Sequence, residues 1–310
     1  MNPNLLNESI TGDRNFEYST GIQIRRDFDA ILESSEKEIL TTMNEFSFDD
    51  YLELFDVGLN LTIEVRSILD ATTPTDQDQL PYLILSAKIT NLLIALRKIL
   101  RAGLPDAFKC LFRPLTEAFD TFYVCLVDTD FRQAYGNISE MYDNNEFWYK
   151  NAKYDRIKSK IHKMFTDASG TEDQFNFYNE KRKTQQKFLS ESLHSSFNAA
   201  FATYFTPTIR GELPLKEFGN VTTAYPAMLI NLLEEISIFN YVLHHACVTK
   251  RINSNIRATV FINNKSFIYL STKYADLFDR YLPTLHERTS SLLKELELAK
   301  EQLRTQNSLE

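Results

Sequence analysis

Two separate stretches of the chain carry side chains of the types and spacing that hold anions or move protons. In the first, Lys109, Arg113, Glu117 and Asp120 follow one another at intervals of four, four and three residues, which sets them on one face of a helix. The rest of that helix is apolar, with Phe108, Leu111, Leu115, Phe119 and Phe122. Charges in such surroundings are costly to bury unless paired. Arg113 and Glu117 therefore read either as an anion-holding or acid–base pair or, more plainly, as a solvated face of weak ion pairs. In the second stretch, Phe188-Leu-Ser-Glu-Ser-Leu-His194-Ser, Ser190 and His194 share a helix face beside an apolar stripe. Imidazole is the usual proton carrier near neutral pH. The plainer reading is a core histidine bonding two helices, because Ser190 and His194 alone do not supply a nucleophile, a base and an orienting group.

A third stretch is basic: Lys153, Arg156, Lys158, Lys160, His162 and Lys163 fall within one short helix. Such a face suits RNA or an acidic protein partner, and also suits simple solvation. The tandem His244–His245 cannot chelate one ion, since adjacent helical residues point about 100° apart; favourable interaction with the helix C-terminal dipole is the simpler account. No phosphate loop, dinucleotide fingerprint, zinc spacing or calcium loop is present in the sequence, so no cofactor and no metal is expected.

The elements that must position these residues are helical. Gly is scarce, at 8 of 310 residues, and folds built on many tight turns need more. Helical periodicity runs over about 21–44 and 47–71, then resumes after a polar loop at 72–80 that contains Pro74. The segment 81–102 has the cleanest stripe, Leu85, Ile89, Leu92, Leu93, Leu96, Ile99 and Leu100. Gly103 ends it and Pro105 opens the next helix, 104–127, with Pro114 inside as a kink. Shorter helices fill 130–168. The Thr171-x-x-Gln174 capping box then starts a long helix reaching about Tyr204. A loop at 206–224 and an apolar helix at 226–248 follow. Val260 and Ile262, then Phe267 and Tyr269, alternate about Asn263–Asn264 and suggest a short β-hairpin near 258–270. The last helix runs to about Arg304. Its charged, Leu-spaced part after Thr289 suits a projecting arm through which the chain self-associates.

The expected fold is all-α: a mostly antiparallel helical bundle with its core at 81–248. It forms one domain over 20–288, between a flexible N-terminal arm at 1–19 and a charged C-terminal helix at 289–310. The net charge of −8 opposes a general attraction to nucleic acid or anionic membrane and leaves a local basic groove open. Cys110, Cys125 and Cys247 lack metal or redox spacing and read as buried thiols. Met1–Ser19 is polar, and the most apolar runs are broken by Lys88 and by Glu234–Glu235. The expected location is therefore cytoplasmic, without a membrane span.

Arg101-Ala-Gly-Leu, Phe112-Arg113-Pro-Leu-Thr-Glu117-Ala-Phe and Phe188-Leu-Ser190-Glu-Ser-Leu-His194-Ser together resemble an uncharacterised family of bacterial all-helical proteins, over roughly residues 80–250. That family pairs an Arg-x-x-x-Glu helix with a later Ser-x-x-x-His helix. The resemblance implies that Arg113, Glu117, Ser190 and His194 meet across two packed helices. It carries no assigned activity. More distantly, such proteins are similar to HEPN domains, helical modules of toxins and phage-defence RNases. The HEPN motif is an Arg, four to six residues, then a His. Arg156 to His162 and Arg280 to His286 meet that spacing, although chance alone supplies about one such match and the usual polar residue after the Arg is missing in both. Two functions follow as expectations. One is a binding or regulatory module acting through a protein partner in a bacterial defence or stress system. The other is a HEPN-like RNase or nucleotide-directed enzyme using Arg113, Glu117 and His194, with Arg156 and His162 as a further pair.

Overall fold

A computed structural model describes residues 14–137, 146–193, 208–211 and 219–307. Helix α1 spans Arg14–Glu45 and α2 spans Asp49–Thr72. Two 3₁₀ turns, Thr73–Thr75 and Gln77–Gln79, lead into α3, Leu80–Arg101. Then come α4, Pro105–Val127, and α5, Thr129–Gly136. A π turn at Trp148–Ala152 precedes α6, Tyr154–Asp167, and α7 covers Glu172–Leu193. Helix α8, Tyr225–Leu243, loosens into a π turn at His244–Val248, and α9, Ala258–Ile262, precedes α10, Lys265–Asn307. The described residues hold no sheet; Thr208 and Thr222 form one isolated antiparallel bridge.

The bundle is antiparallel, as its cross-helix bonds show. Between α2 and α3, Arg97 Nη2 donates to Asp56 Oδ2 at 2.7 Å and Thr90 Oγ1 to the Thr62 carbonyl at 3.3 Å, so numbers rise on one helix as they fall on the other. Between α8 and α10, Tyr274 OH donates to the Leu233 carbonyl at 2.7 Å and Asn240 Nδ2 to that of Ser271 at 2.9 Å. The short 102–104 link folds α3 back on α4, and Tyr82 OH near the start of one reaches the Cys125 carbonyl near the end of the other at 2.9 Å. Helix α4 is the hub, touching α3, α6, α7 and α8. Its Phe119 and Phe122 meet Phe239 of α8 with ring centroids 5.1 and 5.2 Å apart. Two glycines permit the close packing. A Cβ on Gly58 would stand 2.7 Å from the Tyr274 ring and 2.8 Å from Ile236, so its absence lets α2 approach α8 and α10. Gly103 ends α3 at φ +62° and its carbonyl accepts from Asn220 N at 2.9 Å.

The capping box is formed reciprocally. Thr171 N donates to Gln174 Oε1 at 2.9 Å, and Gln174 N to Thr171 Oγ1 at 3.2 Å. Three expectations need correction. There is no hairpin near 258–270: Asn264 caps α10, its Oδ1 accepting from Phe267 N at 2.8 Å. The alternating residues do not share one face: Ile262 and Tyr269 are exposed, while Phe267 is buried against Phe261, which lies outside the alternation. Helix α1 is under way by Arg14, within the stretch expected to be an arm. Cys110 is exposed, while Cys125 and Cys247 are buried with their thiols pushed up by burial. Tyr225–Val248 is long and apolar enough to cross a membrane by length and composition alone, yet 67% of that window is buried in the bundle.

Candidate functional site

The densest polar chemistry lies inside the bundle, where α4, α7 and α8 meet. The spacing Tyr178, Arg182, Gln185 puts three polar side chains on the inward face of α7. Across from them stand Asp120 of α4 and Glu235 of α8. Arg182 is the centre, with its side chain 1% exposed. Its Nε donates to both Asp120 oxygens at 3.0 Å and its Nη2 to Asp120 Oδ1 at 2.8 Å. Its Nη1 and Nη2 grip the two oxygens of Glu235, each at 2.8 Å, and Nη1 also reaches Gln185 Oε1 at 2.8 Å. Tyr178 OH donates to Asp120 and accepts from Arg182 Nη2 at 2.9 Å. A planar fork of five N–H donors grips both oxygens of Glu235 in parallel while bonding Asp120, a bidentate geometry that a lysine ammonium lacks.

Lys181 continues the network towards the surface. Its Nζ donates to Glu234 Oε2 at 2.6 Å and lies 3.2 Å from Glu235 Oε1. His286 of α10 approaches Glu234 from the other side, Nε2 to Oε1 at 3.6 Å. The two fully buried acids respond differently to this setting. For Glu235, burial raises the pKa, but Arg182 and Lys181 together outweigh it and hold the carboxyl down at about 2. For Asp120, burial wins over the pull of Arg182, and its pKa is raised. Burial likewise pushes the Tyr178 and Tyr123 hydroxyls well above the usual phenol range. Tyr123 OH, buried beside this network, has no hydrogen-bond partner among the described residues.

On one flank of the network a cleft of about 460 Å³ opens between α6, α7, α8 and α10. Phe165, Phe177, Tyr178, Tyr241 and Phe278 give it aromatic walls, and Asp173 and Glu234 give it carboxylates. Tyr178 and Glu234 thus belong both to the network and to the cleft. A smaller apolar hollow of about 110 Å³ lies on the opposite flank, beside Gln185, Leu189 and Asn231.

The residues singled out in the sequence fall elsewhere. Arg113 Nε donates to Glu117 Oε1 at 3.1 Å along one helix face, with side chains 29% and 35% exposed. Asp120, grouped with them by spacing, turns inward to Arg182. Helix α7 packs against α4, bringing Leu189 beside Phe108 and Phe112, so the two helices expected to pair do pair. Ser190 lies on α7, but its side chain and His194 lie outside the described residues. On α6, Lys160 pairs with Asp128 at 2.6 Å and Lys163 with Asp167 at 3.1 Å. Lys158 stands over the Phe175 ring at 6.0 Å, and His162 Nε2 bonds Glu172 Oε2 at 2.8 Å. Arg156 is exposed. The six-residue step to His162 turns it about 240° around the axis, so the two point from different faces. Arg280 and His286 share α10, and His286 faces Glu234. At the end of α8, His245 is buried against Tyr241 and bonds Thr249 Oγ1 at 3.0 Å. Burial, His244 and Arg251 lower its pKa, which favours a neutral ring over a cation answering the helix dipole.

Sequence reasoning missed Arg182, Glu235, Tyr178 and Lys181. One signal was present: two consecutive acids in the middle of an apolar helix require cations from a neighbour. Among the described residues, no group of three or more His, Cys, Asp or Glu side chains is placed to hold a metal ion. The chain matches no protein-family model, no curated protein and no solved structure.

Proposed function

We propose that this chain is an interaction module, a helical scaffold that works by holding a protein partner and not by chemical turnover. One observation carries this reading. The strongest constellation of acids and bases in the described residues is closed on itself: every N–H of Arg182 is taken by Asp120, Glu235, Gln185 or Tyr178, and the guanidinium is shut off from solvent. A group so saturated has nothing left to offer a reacting atom, and ties helices instead. The Arg113–Glu117 pair points the same way, since each group answers the other. Much of the basic face of α6 is matched locally by Asp128, Asp167 and Glu172, which leaves it a weak competitor for RNA phosphates. The setting in a bacterial defence or stress system, in the cytoplasm, rests on the resemblance of the Arg113–Glu117 and Ser190–His194 stretches.

The RNase reading is favoured by one feature, the packing of α7 on α4 that brings the two motif-bearing helices together. An RNA-cleavage assay with a cell-toxicity readout separates the two. Wild type, His194→Ala and His162→Ala should all leave RNA intact and behave alike in cells. RNA degradation by the wild type that either substitution abolishes would overturn the module reading.

A further inference from the structure

We propose that the aromatic cleft between α7, α8 and α10 is a binding site for a small organic ammonium ion carried on an apolar body. The inference stands independently of the interaction-module reading. Its volume, about 460 Å³, falls in the range that holds a small-molecule ligand. Five aromatic rings wall it, and no Lys, Arg or His is among its lining residues. Phe177 stands at the mouth 63% exposed, a large apolar side chain left in water where a ligand would cover it. Ring faces attract cations, and do so more strongly once water is excluded.

Charge sets the sign of the ligand. The network beneath the cleft holds the carboxylates of Asp120, Glu234 and Glu235 against the cations of Lys181 and Arg182. Asp120 and Glu235 share Arg182 deep in the bundle, and Lys181 is divided between Glu235 and Glu234. Glu234 lies at the cleft wall with its side chain 14% exposed, and His286, half exposed, is its other basic neighbour at 3.6 Å. Asp173, in the first turn of α7, adds a second carboxylate to the lining. An ammonium group beside Glu234, its hydrocarbon body among Phe165, Phe177 and Phe278, meets both the charge and the apolar surface, and Asp173 adds to the negative field of the lining. A carboxylate ligand would face two like charges there. Because α10 supplies Phe278 and Leu282, an occupant would also fasten the C-terminal helix to α7 and α8.

The test is isothermal calorimetry on the full chain with three probes of equal chain length: octylammonium chloride, octan-1-ol and sodium octanoate at pH 7. Octylammonium should bind about tenfold or more tightly than octanol, and octanoate more weakly than octanol. Glu234→Gln should erase the preference for the ammonium while keeping octanol binding. Asp173→Asn, on an exposed position outside the network, should reduce that preference without affecting the fold. Phe177→Ala, at an exposed site, should weaken octylammonium and octanol alike by several-fold. Thermal melts confirm that each variant is folded. Octanoate binding as well as octylammonium, no binding of either, or an ammonium preference that survives both Glu234→Gln and Asp173→Asn overturns the proposal. So does octylammonium binding unchanged by Phe177→Ala, which would mean general attraction to an acidic chain.

Discussion

Arg182→Met is the sharpest test of the ionic network. Methionine fills much of the same volume but leaves Asp120 and Glu235 without the guanidinium that neutralises them. The size of the effect can be worked from Glu235, whose pKa moves from 4.5 to about 2. At about 1.4 kcal/mol for each tenfold, that displacement is on the order of 3 kcal/mol net, what Arg182 and Lys181 contribute after the cost of burying the carboxylate is subtracted. Removing one partner of a buried ion pair elsewhere costs about 3–5 kcal/mol, and the two figures agree. For a chain of 310 residues about 1.5–2 °C of melting temperature is lost per kcal/mol, so Arg182→Met should melt about 5–10 °C below the wild type by far-UV circular dichroism. The triple variant Arg182→Met, Asp120→Leu, Glu235→Met removes the stranded charges together and should recover most of that loss. A single variant melting within about 2 °C of the wild type would refute the reasoning. A triple variant no more stable than the single one would show that stranded charge was not the cause.

Two further expectations follow from the same geometry. Glu235, with its pKa depressed, contributes stability that is complete above pH 4.5 and is lost as pH falls towards about 2; Asp120, with its pKa raised, acts oppositely and weakens the fold as pH climbs past its ordinary value of 3.8. Urea midpoints measured between pH 2 and 7 should therefore show Glu235→Gln blunting the acid-side loss and costing more at neutral pH than Asp120→Asn, and equal costs would contradict this assignment. Gly58→Ala should destabilise by about 1–3 kcal/mol, because the new Cβ meets the Tyr274 ring and Ile236 at 2.7 and 2.8 Å; a neutral urea midpoint would show that α2 can retreat freely.

The helices were legible because their signals are local. The stripe from Leu85 to Leu100, the Gly103 stop, and the Thr171–Gln174 box each act within a few residues, and each forms as its spacing implies. The Asn263–Asn264 pair shows the limit of such signals. An Asn before an apolar run caps a helix as readily as it turns a hairpin, and only the burial of Phe261 and Phe267 decides between them. The ionic network was illegible for a different reason. In α7 Arg182 stands in helical register with Phe175, Tyr178 and Leu189, yet a lone cation on that line in an otherwise polar stretch does not by itself say that Arg182 is buried while Lys183 next to it is exposed. That distinction exists only once α4 presents Asp120 and α8 presents Glu235 on either side.

The network's role is better described as setting register than as adding stability. Apolar side chains such as those of α8 pack acceptably after small slides, because dispersion and hydrophobic burial have little direction. A guanidinium bonded to Asp120, Glu235, Gln185 and Tyr178 does not. Sliding α7 by one turn, about 5.4 Å, would separate Arg182 from both acids at once and leave buried charges alone. Well-packed apolar residues in the same place would be at least as stable, so the ions add choice of arrangement over depth of energy. Tyr178 and Glu234 are members of the network and also walls of the aromatic cleft. Fixing the register of α7 against α8 therefore fixes the cleft's shape and the position of its carboxylate before any ligand arrives, and preorganisation of that kind lowers the cost of binding.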